Sequence, residues 1–354
     1  MSKRLSYLPK LDSLRALAAL MVLVSHYFVE LHGPNLHYGG NGVQIFFVIS
    51  GFLITGILLS QKGSSTIGKP RMILNFIIKR ALRLFPVYYL FLFVLIAISI
   101  FGGLWLWEKG SAWYYFTYTQ NYLFLKEGFQ SSMLNHTWTL AVEEQFYLVW
   151  PFLIFLIPKK SELPVLITVF FIGIISRIYF VEFYETKGTV KGVTLIHLDT
   201  LATGALLAWC AFYKKERIMN FLDKYSDLIF LFTLTVSIVL TITEKYQTVL
   251  LPLSLDVMSL ALVFICAYKK WSFMSPVLNI GILQQIGRIS YGVYLFHKPV
   301  PYFFNYLYAK TGLPVIGSPV VLFIIYVGIT LLIASLSFKF FEKPILRVKE
   351  KFDL

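Results

Sequence analysis

Arg15 and His26 stand eleven residues apart in the stretch Leu11-Asp-Ser-Leu-Arg-Ala-Leu-Ala-Ala-Leu-Met-Val-Leu-Val-Ser-His-Tyr-Phe28. On a helix they return to nearly the same face, roughly 16 Å apart along the axis. An imidazole there can take up and release a proton near neutral pH, and a guanidinium can hold an anion. Both are expensive against hydrocarbon, so a pair on one stripe points to the interior of a helix bundle and to a site. The competing reading has Arg15 reaching back to the inner interface and His26 bonded between helices without chemistry.

Three further groups have chemical potential. Arg80 and Arg83, in Asn75-Phe-Ile-Ile-Lys-Arg-Ala-Leu-Arg-Leu-Phe-Pro86, share a helix face and suit the phosphates of a nucleotide-containing donor; lipid headgroup anchoring is the alternative. Glu143 and Glu144 lie about 9 Å below the outer end of an apolar run, at the depth computed for His26. A carboxylate beside His26 would fix its tautomer and make it a general base, whereas a buried glutamate paired with an arginine such as Arg177 would be structural. Adjacent carboxylates diverge by about 100°, so at most one of the two faces a given partner. Ser290, Tyr294 and His297 form one stripe at i, i+4 and i+7, either a substrate path or interhelical glue, with Pro299 and Pro301 bending the helix beyond it. Ser50 would need a base to act as a nucleophile and, with Gly51, reads as a packing notch.

The elements that must carry these residues follow from composition. Of 354 residues, 57% are hydrophobic and only 14% charged, and the mean hydropathy is +0.71. That is too apolar for a soluble domain, so the expected class is an all-α, polytopic membrane bundle in a single domain, 1–354. About ten spans are expected, at 13–31, 42–60, 84–104, 138–157, 163–181, 195–212, 227–243, 248–268, 287–308 and 316–337. The net charge of +14 does not signal nucleic acid, because most lysines and arginines fall in alternate short loops. Lys62, Lys69, Lys159, Lys160, Lys214, Lys215 and Lys269 mark the inner side, and both termini are expected to be cytoplasmic. Cys210 and Cys266 lie in apolar runs as packing residues, and the aromatic stretch Trp113 to Tyr122 in the long outer connection 105–137 reads as an interfacial belt.

Six motifs in order carry a specific resemblance: Arg15 with His26; Phe46-Phe-Val-Ile-Ser-Gly-Phe-Leu-Ile54; Arg80-Ala-Leu-Arg83; Trp138-Thr-Leu-Ala-Val-Glu-Glu-Gln-Phe-Tyr147; Ile286-Gly-Arg-Ile-Ser-Tyr-Gly-Val-Tyr-Leu-Phe-His297; and Phe341-Glu-Lys-Pro344. Together they resemble the membrane acyltransferase-3 family over nearly the whole chain, although 160–280 adds little beyond His197-Leu-Asp199 and Gly204. The resemblance implies a ten-helix bundle that moves an acyl group, usually acetyl, from cytoplasmic acyl-coenzyme A to a hydroxyl of a carbohydrate or glycan. Some members add an extracytoplasmic hydrolase-like domain. The sequence given stops at Leu354 without one, which counts against an acceptor, such as peptidoglycan, that would need that module.

On this reading Arg15, Arg80 and Arg83 hold the coenzyme, His26 is the base and Glu143 orients it or balances its charge. His297 is a second catalytic candidate, and Tyr291, Tyr294 and Glu144 line the substrate path. No metal and no nucleic acid are expected. The partners are acyl-coenzyme A, the glycan acceptor and membrane lipid, with the oligomeric state open, and the expected location is the bacterial cytoplasmic (inner) membrane. The rival is a transporter or flippase for a small substrate or lipid-linked sugar. It lacks a visible internal repeat and paired broken helices in corresponding halves.

Overall fold

Apolar segments of this length must satisfy their backbone internally, which in a bilayer leaves helices or a closed barrel. The computed structural model describes residues 7–32, 39–64, 67–102, 110–184, 190–243, 246, 248–314 and 316–349, and among these no strand occurs. The helices are α1 (Pro9–His32), α2 (Gly39–Ser64), α3 (Lys69–Gly102), α4 (Ala112–Phe116), α5 (Gln120–Glu127), α6 (Trp138–Leu156), α7 (Glu162–Tyr184) and α8 (Leu198–Phe212). They continue as α9 (Glu216–Thr243), α10 (Leu250–Ala267), α11 (Ser275–Leu278), α12 (Gly281–Arg288), α13 (Ser290–Phe296), α14 (Pro299–Ala309), α15 (Pro319–Ser337) and α16 (Lys343–Lys349). Nine helices among the described residues are long and apolar enough to cross a membrane.

The segment expected as one span at 287–308 is instead the broken run α12–α13–α14. Its turns fall at Ile289 and at His297-Lys298, just ahead of Pro299. Proline lacks the amide hydrogen that an interior helical position must donate, and its ring crowds the carbonyl four residues back. The third span also differs, because α3 begins at Lys69 and takes the amphipathic arginine stretch into one continuous helix through Pro86.

Small residues fix how the helices meet. A Cβ on Gly51 would strike the Leu201 carbonyl, and one on Gly204 would strike that of Val48, so α2 and α8 pack backbone to backbone. Gly287 likewise lets α12 lie against the Asp12 carbonyl of α1. At the far end of α2, Lys62 Nζ donates to the carbonyls of Ile154 and Ile157, both at 2.7 Å, and to Glu162 at 2.8 Å. One ammonium thus satisfies orphan carbonyls at the end of α6 and ties it to the start of α7. Arg177 of α7 pairs with buried Asp199 of α8 at 2.7 Å, so this arginine has an aspartate partner and not a glutamate.

The aromatic stretch before α6, expected as an interfacial belt, is in large part packed into the protein. Trp113 and Tyr122 are exposed, but Tyr115, Tyr118, Gln120 and Asn121 are buried. The Tyr118 ring stacks on Tyr88 at 4.3 Å and on Phe85 at 5.3 Å, both from α3. The loop therefore folds down against the bundle, and burial pushes the Tyr115 and Tyr118 hydroxyls above the usual phenol range.

Candidate active site

Two polar regions lie one above the other. The lower is a cavity lined by Arg15, Arg80 and Arg83, by Ser50, Glu143 and Tyr147, and by Ser290, Tyr291 and Tyr294. Ser50 Oγ donates to Glu143 Oε1 at 2.6 Å and lies 3.0 Å from the Tyr147 hydroxyl. The Arg80 guanidinium lies over the Tyr147 ring, 5.3 Å from its centroid, and over Phe76 at 5.6 Å. Arg15 reaches Asp12 at 3.3 Å. Arg80 and Arg83 make no hydrogen bond or salt bridge among the described residues, so their donors face the cavity as a ready anion site.

The upper region is a layer of three histidines. His26 Nδ1 lies 2.8 Å from His297 Nε2, with the rings stacked 5.0 Å apart. His297 Nδ1 lies 2.5 Å from the Tyr294 carbonyl. A carbonyl only accepts, so Nδ1 of His297 carries the hydrogen and its Nε2 is the lone-pair nitrogen in the neutral ring. His26 must then donate through Nδ1, which leaves Nε2 of His26 as the basic nitrogen. The His136 ring stands edge-on to His297 with centroids 4.8 Å apart.

The kink builds this layer. Pro299 cannot donate to the carbonyl of Leu295, four residues back, and His136 Nε2 bonds that carbonyl at 3.0 Å. Pro301 cannot donate to the carbonyl of His297, and the Tyr27 hydroxyl does so at 2.9 Å. Each proline thus leaves a carbonyl that a neighbouring element occupies, and His297 is held between α1 and the turn before α6.

The roof of the cavity separates the two regions. Tyr294 and Thr139 both line it, and their hydroxyls bond at 2.8 Å. His297 follows Tyr294 by three residues and His136 precedes Thr139 by three, so the histidines sit about one helical turn beyond the roof.

The structure joins His26 to His297, which the stripe on the ninth segment allowed for, and joins Arg15, Arg80 and Arg83 around one cavity. It does not join Glu143 to His26. Glu143 lies seven residues, about 10 Å, further along α6 than His136, which is in the histidine layer. The error has a physical source. A buried 3-10 turn, Asn135–Thr137, starts α6 well inside the protein, so counting inward from that end misjudges depth. Glu144 diverges from Glu143 into a second cavity, with Arg80, Tyr118 and Gln145, and the Tyr291 hydroxyl bonds the Leu84 carbonyl at 3.1 Å. His136 was not singled out in the sequence; its position three residues before Thr139, in a run already carrying Glu143, was the available signal. Among the described residues no group of three or more His, Cys, Asp or Glu is arranged to hold a metal ion.

The described helices thus form a polytopic membrane bundle that holds a basic cavity and an oriented imidazole pair. Residues 8–338 match the acyltransferase domain of the acyltransferase-3 family, and the chain belongs to that family, whose members transfer acyl groups. Among individual proteins it is similar to peptidoglycan O-acetyltransferase OatA of Listeria monocytogenes serovar 1/2a, 32% identical over 96% of this chain and 56% of that protein. It is also similar to O-acetyltransferase OatA of Staphylococcus aureus strain NCTC 8325, 31% identical over 96% of this chain and 57% of that protein. A third relative is the putative peptidoglycan O-acetyltransferase YrhL of Bacillus subtilis strain 168, 31% identical over 96% of this chain and 55% of that protein. The chain thus spans little more than half the length of these relatives. No solved structure matches it.

Proposed function

We propose that the chain transfers an acetyl group from acetyl-coenzyme A, bound in the arginine cavity, to a hydroxyl of a cell-wall glycan at the histidine layer. One observation carries this reading: a cavity whose Arg80 and Arg83 donors are unpaired among the described residues ends one helical turn from an imidazole whose basic nitrogen is set by two successive hydrogen bonds. The Arg15 to His26 separation of roughly 16 Å calls for a donor with its anionic groups at one end, its reactive carbonyl at the other and an extended arm between. Acyl-coenzyme A has that form. Arg80 and Arg83 fit its phosphates because no carboxylate among the described residues bonds them.

In this mechanism His26 Nε2 accepts the proton of the acceptor hydroxyl while that oxygen attacks the thioester carbon. The C–O bond forms, the C–S bond breaks, and the proton passes from His26 to the leaving thiolate. His297 fixes the His26 ring and shares the charge of the imidazolium. Glu143 balances the arginines of the donor cavity and, through Ser50 and Tyr147, keeps its wall in place.

The relatives' names favour a peptidoglycan acceptor, against the expectation drawn from where the sequence ends. The alternation of lysines and arginines supports cytoplasmic termini and an inner-membrane location, with the donor cavity open to the cytoplasm. Mass spectrometry of cell-wall glycan from a host with and without the gene tests the activity: an ester that appears only with the chain supports it, and unchanged glycan overturns it. Cysteine labelling tests the orientation. Position 214 is expected inside and position 113 outside, and the reverse pattern would overturn it.

A further inference from the structure

We infer that the roof of the donor cavity is an acyl-length ruler, with Phe46 as its principal stop, which confines the enzyme to short acyl groups. The inference rests on the donor reading of the cavity and adds to it the size of the group that is moved.

The level of the Ser50–Glu143 hydrogen bond divides the cavity. From that level toward the histidines, the residues facing the cavity from α2 are Phe47, Phe46 and Val43, and those from α6 are Leu140 and Thr139. The arginines lie on the other side of that level or beside it: Arg80 covers Tyr147, one turn beyond Glu143. The cavity therefore runs from a basic end to an apolar end, and a thioester whose phosphates occupy the first presents its acyl chain to the second.

The apolar end is narrowed by aromatic rings. The Phe46 ring stands at 70° to that of Tyr294 with centroids 6.3 Å apart, and the Tyr294 hydroxyl is bonded to Thr139. Phe47 is 1% exposed and packs against Trp138 and His197, whose rings stack on each other 5.2 Å apart. His197 is held in turn by the Lys191 carbonyl at 2.8 Å, and the Val48 carbonyl beside these residues is in close contact with Gly204 of α8. Phe47 and the Val48 backbone are thus braced by α6 and α8, so the turn of α2 that carries the half-buried Phe46 cannot shift to admit another methylene without forcing side chains off their rotamers.

Each methylene beyond the size a pocket accepts costs about tenfold or more in specificity. The purified chain is assayed with acetyl-, propionyl- and butyryl-coenzyme A against a soluble glycan acceptor, with the affinity for each donor measured in parallel. The expected result is a fall in transfer of about tenfold from acetyl to propionyl and a further fall to butyryl. Phe46→Ala is expected to narrow the acetyl-to-butyryl ratio by about tenfold or more, while Leu53→Ala, at the opposite end of the cavity, leaves the ratio as in the wild type. Should Phe46→Ala fail to fold, Phe46→Leu and Val43→Ala open the same end with less loss of packing and carry the measurement. Equal transfer of acetyl and butyryl by the wild type overturns the ruler. So does a wild-type ratio in all the roof variants that bind donor normally. No affinity of the wild type for acetyl-coenzyme A would instead overturn the donor reading on which the ruler stands.

Discussion

The arginine cavity and the histidine layer use polar side chains in opposite ways. In the cavity, Arg80 and Arg83 keep their hydrogen-bond donors unused by any group among the described residues and Arg80 rests on aromatic faces, so the charge is positioned but uncommitted. In the histidine layer the key groups are clamped: both nitrogens of His297 are bonded, its carbonyl holds Tyr27, and the Leu295 carbonyl beside it holds His136. A binding region gains from donors that the ligand completes, because any prior partner would have to be displaced. A reacting region gains from groups already oriented, because reorganisation during the reaction adds to the barrier.

That contrast predicts different kinetic signatures for the two regions. The largest effect is expected at His26. His26→Ala should lower turnover by about two to four orders of magnitude while leaving donor affinity nearly unchanged, measured as acyl transfer and calorimetry on one preparation. His26→Asn retains hydrogen bonding without a basic nitrogen and should be as slow. Activity near wild type in the Asn variant would take the proton transfer away from the histidine layer and break the comparison.

Next come the arginines, where the loss should be in binding. Arg80→Ala or Arg83→Ala is expected to weaken acetyl-coenzyme A binding by about 1.5–3 kcal/mol for each charge-assisted bond lost, with the rate at saturating donor less affected. Normal affinity in both variants would show that the cavity is not the donor site.

Glu143 sharpens the boundary between the regions. Since it lies about 10 Å from the histidine layer, Glu143→Gln should change the Michaelis constant for donor more than turnover, and the shape of the pH–rate profile should persist. A loss of turnover matching that of His26→Ala would return Glu143 to the side of His26.

The smallest effects are expected at the groups that hold the kink. Tyr27→Phe removes the hydroxyl that caps the His297 carbonyl, and Pro299→Ala supplies an amide hydrogen that competes with His136 for the Leu295 carbonyl. Each should cost about 0.5–1.5 kcal/mol in transfer, roughly three- to tenfold, at unchanged donor affinity. Pro299→Ala in a His136→Ala background should cost less than it does alone, since the two act on one carbonyl. Full additivity would mean that the proline acts elsewhere.

Much of the molecule was legible in the residues themselves. Helical periodicity is local, so the phasing of Arg15 with His26 and of Ser290 with Tyr294 and His297 could be read from spacing alone. Long apolar runs in a chain of +0.71 mean hydropathy admit little besides a helix bundle, and Gly51 announced a close approach of backbones. The prolines at 299 and 301 marked the kink.

Depth and partnership belonged to the tertiary structure. The turn at Asn135–Thr137 sinks the start of α6, which moves Glu143 away from His26 and brings His136 to it, and nothing within that stretch of sequence records how deep the turn lies. Burial of Tyr115 and Tyr118 depends on α3 standing beside them. The hydrogen of His26 is assigned through His297, 271 residues away, and through a carbonyl that is fixed only once α13 has packed against α15 and α1. Periodicity and composition act over a few residues and so persist in the sequence. Which face meets which, and at what height, is decided by side-chain packing among helices far apart in the chain, and so appears only in the fold.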